Sequence, residues 1–120
     1  LLVPVPLSLK RLRERGYNQA ELICSELVKI NDLRGGADMS LAKNILVKPK
    51  DTEHQARIRD RYKRIENMRG TFAVWGGEFL KGRNVILIDD ILTTGATLGE
   101  ARRVLREAGA RKVVAFTVAH

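Results

Sequence analysis

The chain lacks the features that define several large protein classes. It has one cysteine, Cys24, which cannot form a disulfide framework or a cysteine metal cluster, and we expect a reducing cytoplasmic setting. No apolar run approaches the roughly 20 residues that a membrane helix needs, so no membrane insertion is expected. A length of 120 residues suits one domain spanning the whole chain, residues 1–120.

Two common nucleotide-binding motifs are also absent. Four aliphatic residues before Asp89 resemble a Walker B strand, but no GxxxxGK[ST] sequence supplies its partner loop. The GxGxxG dinucleotide fingerprint does not occur either. A phosphate site in this chain therefore needs another arrangement.

Acidic residues are too few to balance the basic ones, and the formal net charge is +8. Two stretches, residues 10–15 and 48–69, together carry +7 of that charge, with four basic residues and one acid in the first and eight basic residues and four acids in the second. A localised excess is what a site for a polyanion requires, and a nucleic-acid surface has the same composition. Charge alone leaves both interpretations open.

The first half of the sequence predicts a strand, a loop and a helix. LLVPVPL is typical of a short strand that its prolines end, and the arginine-rich residues 8–17 are predicted to be a loop. Asn18, with Glu21 three residues later, resembles a capping box that opens a helix. The buried face of that helix is predicted from the helical spacing of Ala20, Ile23, Cys24 and Leu27.

The middle of the sequence gives weaker signals. Short strands are predicted over residues 44–47 and 71–75, and the glycine pair at 76 and 77 marks a turn. Between the two strands, helical spacing predicts a surface helix that carries Ile58, Tyr62 and Ile65.

The last third predicts a βαβ unit. Residues 84–88 are typical of a buried strand, a helix is expected from about Thr97 to a C-cap at Gly109, and residues 113–118 are predicted to be a second buried strand. The apolar face of the helix is predicted to contain Leu98, Ala101, Val104, Leu105 and Ala108. This order predicts an α/β fold with a mainly parallel sheet that helices cover on both faces.

A candidate anion site follows the first of these strands. Ligands of open α/β sheets bind beyond the carboxyl ends of the strands, where Asp89 and Asp90 fall. The next small residues let backbone N–H groups converge on a phosphate at a helix N-terminus, and the loop comprises Thr93, Thr94, Gly95, Ala96 and Thr97. Adjacent carboxylates would repel that phosphate unless they bind hydroxyl groups of the same ligand or a bridging divalent cation. A sugar phosphate meets both conditions.

The segment VILIDDILTTGAT, residues 85–97, resembles the signature of type I phosphoribosyltransferases. PVPL with RLRERGYNQAEL, together with Gln55 and residues 64–67, extends the resemblance to the ComF/GntX family over nearly the whole chain. The resemblance implies a type I phosphoribosyltransferase core of a mainly parallel sheet flanked by helices, with a short or missing hood. Many members carry an N-terminal zinc ribbon, and we expect this domain to lack that segment.

The resemblance also implies roles for individual residues. Asp89 and Asp90 would bind the ribose hydroxyls of phosphoribosyl pyrophosphate, and the loop from Thr93 to Thr97 would bind its 5-phosphate. Mg²⁺ would be held mainly by the substrate's own oxygens, so no residue is assigned as a direct metal ligand. The candidates for the pyrophosphate site are Arg11, Arg13 and Arg15, and those for a mobile loop are Gln55, Arg61 and Arg64.

One departure from the family pattern affects the expected chemistry. Hypoxanthine-guanine enzymes have an aspartate where this chain has Thr93, and threonine cannot act as a general base at neutral pH. Two functions therefore stay open: a pentosyl-transferring enzyme, and a non-catalytic module that senses the ligand and binds single-stranded DNA or a competence protein. The acceptor, any catalytic residue and the presence of a homodimer are not determined by the sequence.

Overall fold

A parallel sheet of three strands forms the centre of the fold in the computed structural model, which describes residues 1–48, 71–91 and 96–119. The strand order is β1 (Leu2–Pro4), β4 (Asn84–Ile91) and β5 (Lys112–Ala119). β4 lies between the other two and runs parallel to both. The α/β class and the mainly parallel sheet predicted from the sequence are confirmed.

The side chains of β4 alternate between two hydrophobic clusters, as the period of two in a strand requires. Val85 and Leu87 are buried with Leu105 of helix α3 (Ala96–Glu107). Ile88 is buried on the other face with Cys24 of helix α2 (Gln19–Leu33). The two helices thus flank the sheet on opposite sides.

Helix α3 follows the predicted pattern closely. Ala101 and Leu105 are buried in the cluster, and Leu98, Val104 and Ala108 pack against it. Gly109 has a φ of 117°, a conformation that side-chain-bearing residues rarely adopt, and the N–H of the next residue, Ala110, donates to the Leu105 carbonyl at 3.2 Å. The predicted C-terminal end of the helix is confirmed.

A small antiparallel ribbon packs near α3. Its strands are β2 (Leu46–Val47) and β3 (Ala73–Val74), both shorter than the predicted strands, and a 3₁₀ turn (Gly77–Phe79) follows. Gly76 begins this turn with a φ of 70°, so the predicted turn is confirmed. The predicted surface helix that would carry Ile58, Tyr62 and Ile65 lies outside the described residues. None of the helices in the described ranges is long and apolar enough to cross a membrane.

The predicted loop over residues 8–17 is wrong, because most of it forms helix α1 (Leu9–Arg15). The Ser8 hydroxyl accepts a hydrogen bond from the Arg11 N–H at 3.2 Å and caps the start of the helix. Gly16 ends it with a φ of 79°, and its N–H donates to the Leu12 carbonyl at 2.7 Å. Two local caps therefore hold a helix of two turns in a stretch whose arginines suggested a loop.

The prediction that β5 is buried on both faces is also wrong. Val113 is buried against α3, but the exposed fractions of Val114, Phe116 and Val118 are 37%, 56% and 66%. α2 lies over β4 and β1 and makes few contacts with β5. The sequence of β5 predicts a two-sided core strand, whereas helix cover reaches only one of its faces in the described structure.

Asn18 joins the start of α2 to the end of β1. Its Oδ1 accepts a hydrogen bond from the Ala20 N–H at 3.0 Å, which is the N-cap predicted from the sequence. Its Nδ2 donates to the Val5 carbonyl, also at 3.0 Å. One side chain therefore fixes both the helix start and the direction in which the chain leaves the sheet.

Asn18→Ala is expected to lower the free energy of unfolding by about 1.5 kcal/mol, because it removes a helix cap and a second hydrogen bond. Asn18→Asp keeps the oxygen that caps the helix but loses the Nδ2 donor, so its loss should be smaller. Urea denaturation of the wild type, Asn18→Ala and Asn18→Asp measures the order of their stabilities. If Asn18→Ala unfolds at the same urea concentration as the wild type, the two hydrogen bonds of Asn18 do not stabilise the fold.

Candidate functional site

The two aspartates of the signature lie at the carboxyl end of β4, just beyond the point where β1 leaves it. Pairing between these strands ends at Pro4 and Ile88, and the Val5 N–H then donates to the Ile88 carbonyl at 2.9 Å. β4 continues to Ile91, three residues beyond the predicted strand end, so Asp89 and Asp90 are held by the strand itself. Both residues are intermediate in burial. The sheet thus presents two adjacent carboxyl groups at the edge where α/β proteins bind ligands.

The electrostatics of the pair favour a proton or a hydrogen-bond donor at Asp89. Burial raises the pKa of Asp89 to about 6, and the neighbouring Asp90 carboxyl adds to the rise. The Asp90 N–H, which donates to Asp89 Oδ1 at 2.9 Å, and the charge of Lys48 oppose it. A carboxyl with this pKa is only weakly stabilised as an anion, and hydroxyl donors from a ligand would stabilise the ionised form.

Of the three arginines predicted to bind pyrophosphate, one contacts the acidic pair. Arg15 Nη1 lies 3.5 Å from Asp90 Oδ2, with 44% of the arginine side chain and 23% of the aspartate side chain exposed. Arg11 and Arg13 are exposed on the same helix, and neither forms an ion pair with a described residue. The structure therefore connects Arg15 with the predicted ribose site.

Lys48 is a residue of the site that the sequence did not single out. It lies just after β2, and its positive charge lowers the pKa of Asp89, which places it within electrostatic reach of the acidic pair. Its Nζ is 5.8 Å from the centre of the Phe72 ring, within the range of a cation–π contact. The sequence signal was its position as the first residue of the basic stretch at 48–69, but that signal did not distinguish it from seven other basic residues.

The start of α3 is partly described. Ala96 and Thr97 are its first two residues, and its first turn contains no acidic residue. The positive end of the helix dipole is therefore not neutralised by a side chain of that turn. Six predicted site residues lie outside the described residues: Gln55, Arg61, Arg64, Thr93, Thr94 and Gly95.

An open cavity of about 340 Å³ lies beside the end of β1, between α1, the start of α2 and the ribbon. Lys48 lines it and also carries the charge that lowers the pKa of Asp89, so this lysine connects the cavity with the acidic pair. Its other walls are mostly apolar and are formed by Pro4, Pro6, Leu7, Leu12, Leu46, Val47 and Trp75, with Asn18, Glu21, Lys43 and Asn44 as the polar residues.

The raised pKa of Asp89 predicts a specific pH dependence of stability. Because the pKa is near 3.8 in the unfolded chain and about 6 in the folded protein, the stability gained from the protonated form is complete below pH 4 and is lost as the pH rises to about 6. The free energy of unfolding of the wild type, relative to that of Asp89→Asn, should therefore fall between pH 4 and pH 6 and stay constant above pH 7. Denaturation of both proteins across this range measures it. A constant difference would contradict the raised pKa, and Asp32→Asn, at an exposed position, serves as the control.

The chain belongs to the phosphoribosyl transferase domain family, which matches residues 38–120. It is 34% identical over 120 residues to Competence protein F of Haemophilus influenzae and 35% identical over 127 residues to Competence protein ComFC of Bacillus subtilis. Each alignment covers 98% of this chain, but 49% and 43% of the respective relative, so the chain spans about half their length. These matches confirm the resemblance to the ComF/GntX family.

A shorter match connects the chain with an enzyme. An adenine phosphoribosyltransferase of Mycobacterium marinum is 54% identical over 39 residues, which are 32% of this chain and 21% of that protein. No solved structure gives a significant match.

Proposed function

We propose that this domain binds phosphoribosyl pyrophosphate through its ribose 5-phosphate half. The observation that carries the proposal is the half-buried pair Asp89 and Asp90 at the carboxyl end of β4, a few residues before α3 begins. In this proposal the two carboxylates accept hydrogen bonds from the ribose 2′- and 3′-hydroxyls, which offset the cost of their burial.

The 5-phosphate is proposed to bind at the start of α3. The loop from Thr93 to Thr97 supplies small side chains, hydroxyl donors and backbone N–H groups, and the helix dipole favours an anion there. The absence of an acid from the first turn of α3 supports this assignment, because an acid there would compete with the phosphate.

If the domain is catalytic, we propose transfer of the phosphoribosyl group. A nucleophilic acceptor would form a bond to ribose C1 while the bond from C1 to the pyrophosphate oxygen breaks, and pyrophosphate would leave with the electron pair. Mg²⁺ would be held mainly by oxygens of the substrate and would supply charge stabilisation for that leaving group. The chain's own contribution would be positioning and electrostatic stabilisation.

A role in DNA uptake is proposed from the names of the relatives, two of which are competence proteins. This role suits a second candidate function, a non-catalytic module that binds single-stranded DNA or a competence partner. The observation that favours it is the concentration of positive charge in residues 10–15 and 48–69, together with the exposure of Arg11 and Arg13 on α1.

Calorimetry with three ligands tests the binding proposal. Phosphoribosyl pyrophosphate should bind in the presence of Mg²⁺ and more weakly without it, whereas ribose 5-phosphate should bind with little dependence on Mg²⁺. Inorganic pyrophosphate alone lacks the ribose and should bind weakly. Tight binding of pyrophosphate with no binding of ribose 5-phosphate would contradict the proposed ribose site.

Two further measurements distinguish the enzyme from the module. Release of pyrophosphate on adding an acceptor supports the enzyme. Affinity for single-stranded DNA that falls steeply with salt, without pyrophosphate release, supports the module, because phosphate contacts release bound counterions.

A further inference from the structure

We infer that Arg15 is a positioning residue for the acidic pair: its guanidinium holds the Asp90 carboxylate ready for a ribose hydroxyl and does not bind pyrophosphate. This inference rests on the proposed binding of a ribose phosphate. It assigns Arg15 a different role from Arg11 and Arg13, with which the sequence grouped it.

The backbone around Arg15 is fixed on both sides. Arg15 is the last residue of α1, and Gly16 reverses the chain with a φ of 79° immediately after it. Space does not explain that glycine, because a Cβ built there would meet nothing within 4 Å. Two residues later, Asn18 is hydrogen-bonded to the Val5 carbonyl, next to the point where β1 leaves β4. The arginine is therefore attached a short distance from the strand that carries Asp90.

The contact is of a kind that orients a carboxylate and still leaves it able to bind a ligand. One guanidinium nitrogen lies 3.5 Å from one oxygen, Asp90 Oδ2, and is not the paired, two-bond contact that arginine makes when it covers a carboxylate. The contact is to Oδ2 and does not involve the other carboxylate oxygen, Asp90 Oδ1. Arg15 can thus restrict the carboxylate while a ribose hydroxyl binds its other oxygen.

The charges around Asp89 and Asp90 indicate what the contact between Arg15 and Asp90 does. Asp89 and Asp90 are adjacent on β4 and repel each other when both are ionised, and the pKa of Asp89 is raised to about 6. In the described ranges Arg15 from α1 contacts Asp90, and the positive charge of Lys48, just after β2, lowers the pKa of Asp89. In the described ranges each carboxylate therefore has a cation near it, and Arg15→Gln would leave Asp90 without the one that contacts it.

The test compares two ligands that differ only in the pyrophosphate. Arg15→Gln should weaken the binding of ribose 5-phosphate and of phosphoribosyl pyrophosphate by the same factor, about threefold, the effect expected of a partly exposed ion pair. Arg15→Lys keeps the charge and should recover most of the loss. Arg106→Gln also removes one positive charge, but near the C-terminal end of α3, opposite the end proposed to bind the 5-phosphate. It is the matched control, and no change in the affinity for either ligand is expected. Loss of affinity for phosphoribosyl pyrophosphate alone would overturn the inference and make Arg15 a pyrophosphate ligand.

A second measurement needs no ligand. The side-chain carboxyl carbon signal of Asp90, observed by NMR at neutral pH, should shift in Arg15→Gln, because a guanidinium nitrogen of Arg15 lies 3.5 Å from Asp90 Oδ2 in the wild type. An unchanged signal would overturn the inference whatever the binding data show. If the wild type binds neither sugar phosphate but the signal shifts as expected, the proposed function fails while the orientation of Asp90 by Arg15 stands.

Discussion

Replacing Asp89 and Asp90 together by asparagine is expected to weaken the binding of phosphoribosyl pyrophosphate about 100-fold. Each substitution changes hydrogen bonds from ribose hydroxyls to a charged acceptor into bonds to a neutral amide. A hydrogen bond to a charged group contributes roughly 1.5–3 kcal/mol, and a loss near 3 kcal/mol for the pair corresponds to two orders of magnitude in affinity. Isothermal titration calorimetry with Mg²⁺ present measures the change.

The folded state should survive this double substitution. Burial already disfavours the ionised form of Asp89, so a neutral amide at that position is not expected to destabilise the fold near neutral pH. Asp32→Asn makes the same chemical change at an exposed position of α2 and should leave affinity unaltered. Equal affinity of the double variant and the wild type would refute the ribose site.

Leu87→Ala is expected to lower the free energy of unfolding by about 3 kcal/mol. Leu87 is completely buried on β4, in the cluster between the sheet and α3, and truncation there removes apolar contacts and leaves a cavity. Because Leu87 is two residues before Asp89, the cavity would lie directly under the strand end that carries the site. Chemical denaturation measures the loss of stability.

Leu33→Ala provides the comparison for that loss. Leu33 is the last residue of α2 and 87% of it is exposed, so the same truncation should change the free energy of unfolding by less than about 0.5 kcal/mol. A similar loss in both variants would show that the cluster around Leu87 is not the main core of the domain.

The βαβ unit was predictable because each of its signals is local and strong. The aliphatic residues before Asp89 predict a strand, the apolar spacing from Leu98 to Ala108 predicts a helix, and Gly109 marks its end. The structure confirms all three, with β4 longer than predicted. The position of Asp89 and Asp90 at the carboxyl edge follows from this unit alone.

Elements that depend on contacts distant in sequence were predicted less well. The apolar residues of β5 indicate burial on both faces, but the cover depends on where α2 packs, and α2 lies over β1 and β4. Helix α1 is a different case, because its caps, Ser8 and Gly16, are local, whereas the predicted loop rested on the arginines between them. Helix propensity and capping favour a helix there.

The candidate site also has a part that the sequence predicts and a part that depends on contacts distant in sequence. The acidic pair is a sequence motif, so its residues could be named in advance. The contact between Arg15 and Asp90 joins positions 75 residues apart, and the charge of Lys48 reaches Asp89 across the fold. Neither pairing has a sequence pattern, since both arise from the packing of α1 and the ribbon around the end of β1.

The two hydrogen bonds of Asn18 make the edge of the sheet and the start of α2 a single cooperative unit. The amide group of Asn18 donates to the Val5 carbonyl and accepts from the Ala20 N–H. A fluctuation that rotates this side chain therefore breaks both hydrogen bonds at once. Opening of the helix end and release of the segment after β1 are thereby coupled, and that segment leads directly into α1 and Arg15. Hydrogen exchange at the Ala20 amide would consequently report on the mobility of the chain that positions Arg15, several residues away from the proton being observed.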